Sequence, residues 1–83
     1  LEQNFPNPFN PSTLISFTIP EAMNVKLVVM NSLGQEVQTL VDEFLNPGKY
    51  VKVFDAKNLV SGVYYYTLST PKGKISKKMV LAK

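Results

Sequence analysis

Thr13-Leu14-Ile15-Ser16-Phe17-Thr18-Ile19 decides the class of fold. Ile15, Phe17 and Ile19 fall on one side of an extended chain and Ser16 and Thr18 on the other, the period-2 signature of a half-buried strand. Pro20-Glu21-Ala22 ends it. Val25, Leu27 and Val29 alternate with Lys26 and Val28 in a second strand, and Asn31-Ser32-Leu33-Gly34 has the composition of a turn. Gln35 to Val41 reads as a third strand with Val37 inward, followed by a loop from Asp42 to Pro47-Gly48. Tyr50 to Phe54 is a fourth strand. Asp55 to Leu59 fits a single helical turn with Asp55 as N-cap and Leu59 pointing in.

Ser61-Gly62 leads into Val63 to Ser69, dense in aromatic and β-branched residues. Pro71-Lys72-Gly73 makes a tight hairpin, and Ile75 to Ala82 is the last strand. Turn signals recur roughly every 11–14 residues with no amphipathic stretch long enough for a helix, which predicts a sandwich or small barrel of six or seven strands. Upstream of all this, residues 1–12 form a lead-in rich in Pro and Asn. Pro6, Pro8 and Pro11 fix φ and push their predecessors to extended geometry, so the lead-in is rigid and non-helical. Phe5 and Phe9 are expected to plug it onto the body of the molecule.

Eighty-three residues suffice for one domain, 1–83, burying about 60% of the surface of the unfolded chain. With no Cys and no His, neither a disulfide framework nor a Cys/His zinc site supports the fold, so packing at 45% hydrophobic content must do so. No apolar run exceeds four residues, which excludes a transmembrane helix and membrane insertion of that kind. Leu1 in place of an initiator Met suggests a piece of a longer chain, which must carry its own export signal if that protein is secreted. The net charge of +3 is carried by lysines alone. Lys72, Lys74, Lys77, Lys78 and Lys83 lie in the last twelve residues, which contain no acid. Absence of Arg argues against sequence-specific nucleic-acid recognition.

Catalysis lacks its parts: no His or Cys for a nucleophile–base pair, and six carboxylates without an evident pairing. No cofactor is implied, since four scattered glycines make no phosphate loop. Asp42 and Glu43 with the Asn46 carbonyl offer too few oxygens for a specific Ca²⁺ site and read as a solvated loop. Among Tyr64-Tyr65-Tyr66, alternation sends Tyr64 and Tyr66 to the core, leaving Tyr65, with Tyr50, as candidate contacts for a sugar ring. A carbohydrate-binding accessory module of a polysaccharide-degrading enzyme is therefore the alternative function. The terminal lysines read either as protection of an edge strand or as a handle for an anionic partner.

Several motifs, in order, resemble one family. These are Pro6-Asn7-Pro8-Phe9-Asn10-Pro11-Ser12-Thr13, then Leu33-Gly34-Gln35-Glu36-Val37 with Leu40-Val41, and Gly48 through Phe54-Asp55-Ala56. Leu59-Val60-Ser61-Gly62-Val63-Tyr64-Tyr65-Tyr66-Thr67-Leu68 and Lys78-Met79-Val80-Leu81-Ala82-Lys83 complete the set. The chain is similar throughout to the type A C-terminal sorting domains of the Bacteroidota type IX (Por) secretion system, relatives of an immunoglobulin-like module in flagellar hook-capping proteins. The resemblance implies an all-β, immunoglobulin-like antiparallel sandwich of about seven short strands, and a non-enzymatic sorting signal. It implies a cargo domain N-terminal to it in the same chain, passage through the periplasm, and recognition by an outer-membrane translocon on the way to the cell surface or extracellular space. Lys78, Val80, Leu81 and Lys83 correspond to the terminal signal strand. Pro6, Asn7, Pro8, Phe9, Gly34, Asp55, Gly62 and Tyr64 correspond to other motif positions. Lys52 stands where the family generally has an apolar residue, which implies a bulge or an edge at residues 50–54.

Overall fold

A computed structural model describes all residues, 1–83. The chain forms six strands and no helix: β1 (Ser12–Ile19), β2 (Met23–Asn31), β3 (Glu36–Leu45), β4 (Gly48–Asp55), β5 (Gly62–Thr70) and β6 (Gly73–Leu81). Strands β1 and β4 pair in a two-stranded sheet, and β3-β2-β5-β6 form a four-stranded one, all antiparallel. The arrangement is the expected all-β sandwich, with six strands in place of about seven. The lead-in adds two isolated bridges, Phe5 with Leu14 and Phe9 with Leu81.

Alternation places the core as read. Ile15, Phe17 and Ile19 face Val25, Leu27 and Val29, and Tyr64, Tyr66, Leu68, Met79 and Leu81 complete the interior. Phe17, Leu27 and Tyr66 are fully enclosed. Two aromatic contacts tie elements together: Phe9 meets Phe54 edge-on at 6.0 Å, and Tyr50 stacks on Phe17 at 5.5 Å.

Three local readings are revised, and the alternative of a bulge or an edge at residues 50–54 resolves to an edge. Asp42–Leu45 is strand, paired in regular register with Met23–Lys26 of β2, and upstream of it β3 carries two bulges opposite Leu27/Val28 and Val29/Met30 that reset its alternation. The bulges leave Leu40 and Val37 without direct partners on β2 and let both pack against the core. The Asp55–Leu59 segment is a turn and not a helix. The Asp55 carboxylate accepts from the Lys57 N–H (3.0 Å) and the Leu59 N–H donates to the Ala56 carbonyl (2.9 Å). Half-buried Leu59 does pack inward. Phe5 is no plug, being 76% exposed: it pairs directly with Leu14, so its side chain follows that of Leu14 to the outer face. Residues 50–54 pair with β1 without a bulge, on a strand whose other edge is free, and half-buried Lys52 lies on its inward side opposite Ile15. An inward lysine on an edge strand discourages further pairing.

Truncating Leu27 to Ala removes fully buried volume from the centre of the core and is expected to lower stability by about 2–5 kcal/mol. Leu33→Ala, at an exposed turn, is expected to stay within about 0.5 kcal/mol of the parent. Urea midpoints of the two variants check this ordering.

Candidate functional site

The opening and terminal motifs, 60 or more residues apart in sequence, meet along one seam. In an antiparallel edge strand alternate residues turn both backbone groups outward. On β6 these are Lys74, Ser76, Lys78 and Val80, since the Phe9 N–H donates to the Val80 carbonyl (3.0 Å). The Val80 N–H donates to the Asn7 side-chain oxygen (3.0 Å), and the Ala82 N–H to the Phe9 carbonyl (3.0 Å). The Gln3 amide reaches the Lys78 carbonyl at 2.7 Å. The lead-in thus straps the downstream half of the edge of β6, with buried Phe9 as its apolar anchor.

A polar cluster holds the strap from behind. The Tyr66 hydroxyl donates to the Glu2 carbonyl (2.7 Å) and accepts from the Asn4 N–H (2.8 Å). The Asn4 side chain, itself buried, donates to Thr13 Oγ1 (3.0 Å) and the Pro6 carbonyl (3.1 Å), and the Thr13 hydroxyl donates to the same carbonyl (2.9 Å). On its other side the strap bonds to β1: the Glu2 N–H donates to the Ser16 carbonyl, and Phe5 and Leu14 exchange a pair of backbone hydrogen bonds. No buried side-chain polar atom lacks a partner. Burial raises the Tyr66 hydroxyl above its usual 10.0, offset in part by the Asn4 N–H that favours the phenolate.

Other motif residues serve this end of the sandwich. Gly62 pairs with Leu81 and Tyr64 with Met79 across the β5–β6 ladder. The Tyr64 hydroxyl donates to the Val60 carbonyl (2.7 Å), shaping the loop that receives the chain terminus. There the Lys83 ammonium donates to the Lys57 carbonyl (2.7 Å) and its N–H to Ser61 Oγ (3.1 Å). Asp55 closes the neighbouring turn, and Ala56 donates to the Pro11 carbonyl (2.9 Å). Gly34 stands at φ 82°, in the left-handed region open to glycine, at the Asn31 turn. The Asn31 side-chain oxygen accepts from the Leu33 and Gln35 N–H groups in that turn. Pro6 contributes its carbonyl to the polar cluster, and Pro8 adds only stiffness. Gln3, Asn4 and Tyr66 hold the strap without a sequence signal that marks them for it. A polar Asn beside a Pro run is an ordinary turn signal, and nothing local points to its distant partners.

The candidate terminal residues divide by environment. Lys78 and Lys83 are exposed, Val80 is half-buried with its backbone held by the strap, and Leu81 is buried in the core. The candidate glycan contacts do not assemble. Tyr50 lies on the inner side of β4, stacked on Phe17 with its hydroxyl bonded to the Asn46 carbonyl (2.7 Å). Tyr65 lies on the outer face of the other sheet, between Met30 and Lys78. Asp42 and Glu43, adjacent in a strand, point to opposite faces, and no group of acids converges to hold a metal.

Tyr66→Phe leaves the Asn4 N–H and Glu2 carbonyl without their partner and is expected to lose about 1–3 kcal/mol. Because the folded hydroxyl keeps its proton to higher pH than an unfolded tyrosine, its contribution is complete below pH 10 and declines as pH rises through the raised folded value. Urea midpoints of the parent should therefore fall more steeply above pH 10 than those of the Phe variant. Asn7→Ala should speed amide exchange at Val80 selectively, read by NMR.

Residues 3–82 match a family model described as a secretion system C-terminal sorting domain. No curated protein and no solved structure shows a significant match.

Proposed function

This chain belongs to the secretion system C-terminal sorting domain family, and we propose that the seam between lead-in and β6 is the element its machinery reads. The chain is a C-terminal sorting signal of type IX secretion, recognised by that machinery and directing a cargo region to the cell surface or extracellular space. The carbohydrate-binding alternative has no support from the family or from the separated positions of Tyr50 and Tyr65.

Within that role we assign residues 1–83 to one sorting unit, with 1–12 as its strap. Its partner is an outer-membrane translocon reached from the periplasm. The observation that carries the assignment is the meeting of the opening motif with the terminal strand: Asn7 and Phe9 satisfy the outward groups of Val80 and Ala82. A linear tag needs no such scaffold. The strap holds β6 in one conformation and presents Lys78 and Lys83 from it, while Leu81 acts through the core. Leu1 and Lys83 lie at opposite ends of β6, since Leu1 lines a cleft with Gly73 and Lys74 at its start whereas Lys83 follows its last residue and reaches Lys57. A preceding cargo therefore departs from the end remote from Lys83.

Deleting residues 78–83 would strip Met79 and Leu81 from the core, so charge reversal is the cleaner test. Residues 1–83 fused to a periplasm-directed reporter should carry it to the surface of a type IX-competent host. The double variant Lys78→Glu/Lys83→Glu should export about tenfold less while staying folded, its melting temperature lowered only slightly by loss of the exposed Lys83–Lys57 hydrogen bond. Undiminished export of a folded double variant overturns the role given to the terminal strand.

A further inference from the structure

Resting on the sorting role just assigned, we infer that the upstream half of the edge of β6, Lys74 to Lys78, accepts an added strand from the secretion machinery. The occupant is an extended segment with acidic and apolar residues in alternation.

The strap's hydrogen bonds to the edge end at Lys78; further upstream Leu1 lines a cleft with Lys74 and Ile75 but makes no hydrogen bond to the strand. Upstream, Lys74 and Ser76 turn their backbone N–H and C=O groups away from β5, and neither residue's backbone takes part in any of the hydrogen bonds made outside the strand ladders. Both residues are exposed. An edge with unpaired groups is a template for strand addition unless its side chains forbid it. Here the side chains select. Lys74 and Lys78 project from the outer face, paired across the ladder with Ser69 and Tyr65, with small Ser76 between them. Ile75 projects from the inner face and stays 53% exposed. Lys72 is engaged by Glu21 at 3.0 Å, whereas Lys74, Lys77 and Lys78 have no carboxylate within ion-pair distance. An incoming strand therefore meets Lys74 and Lys78 on one face, and on the other exposed Ile75 beside half-buried Lys77.

That pattern rejects a second copy of the chain. Another β6 would bring its own lysines against these. The acidic edge strand β3, with Glu36, Asp42 and Glu43, has matching charge, but its two bulges break the regular spacing that a continuous ladder needs. Protection against aggregation and selection of an acidic partner are then one device: the lysines exclude like edges and admit a complementary one.

The test uses the isotope-labelled chain and a synthetic heptapeptide of alternating valine and glutamate. Binding should slow amide exchange at Lys74 and Ser76 by about tenfold or more, as expected for groups newly paired in a ladder. Ser76→Pro removes the outward N–H, which an edge strand tolerates, and, as Ser76→Ala also does, the exposed hydroxyl contact with Thr67 (2.7 Å), so the amide spectrum of the remainder should persist while peptide binding and reporter export are lost. Ser76→Ala should retain both. No binding, equal binding of a peptide with proline in place of valine, or self-association of the chain through this edge would each overturn the proposal. If folded Ser76→Pro exports normally while Lys78→Glu/Lys83→Glu does not, strand addition is wrong and the sorting role of the terminal strand stands. If both export normally, that role fails as well.

Discussion

The sheet of β1 and β4 has two strands and its partner has four, so the interior cannot be closed on both flanks by paired strands alone. On the β6 side the gap is filled by the lead-in, which hydrogen-bonds to β1 through Glu2 and Phe5 and to β6 through Gln3, Asn7 and Phe9. Most other features of the molecule depend on that insertion. It needs a buried acceptor and donor at its back, supplied by the Tyr66 hydroxyl, and an apolar filler at its far end, supplied by Phe9 against Phe54. Proline suits the strap because it forgoes backbone donors that would otherwise need partners in a narrow gap.

The strap also changes what the last strand is. Without it β6 would be an open edge along its whole length. With it, the edge is divided into a closed half, where Val80 and Ala82 are satisfied, and an open half bearing unpaired lysines. For a domain without cysteine, which no disulfide can staple, a terminal strand held on both sides is less prone to fray than one held on a single side. Under the sorting role proposed above, the side chains that such a strand presents stay in fixed geometry.

Much of the fold was legible in the residues. Ile15, Phe17 and Ile19 identified a core face, and Tyr64, Tyr66 and Leu68 another, because period-2 alternation has one physical cause, a single buried side. Legibility failed where a neighbour altered the period. The bulges of β3 and its extension to Leu45 both rest on pairing with β2, so the inward turn of Leu40 and the length of the strand left no local trace. Phe5 was misplaced for a similar reason: a phenylalanine near a proline run signals burial on average, but its pairing with Leu14 points it outward.

The candidate site divides along the same line. The chain by itself determined an all-β sandwich without the His and Cys of a nucleophile–base pair or a Cys/His zinc site, and a basic final strand following a proline-rich start. Those are matters of composition and local period. Only the tertiary structure decided that the start lies on the end, that Asn7 closes Val80, and that Leu81 is core while Lys78 is surface. Hydrogen bonds between residues 73 positions apart leave no periodic signal in either segment. The basic terminal strand, which composition alone treats as edge protection, becomes through those bonds a surface with one closed half and one open half.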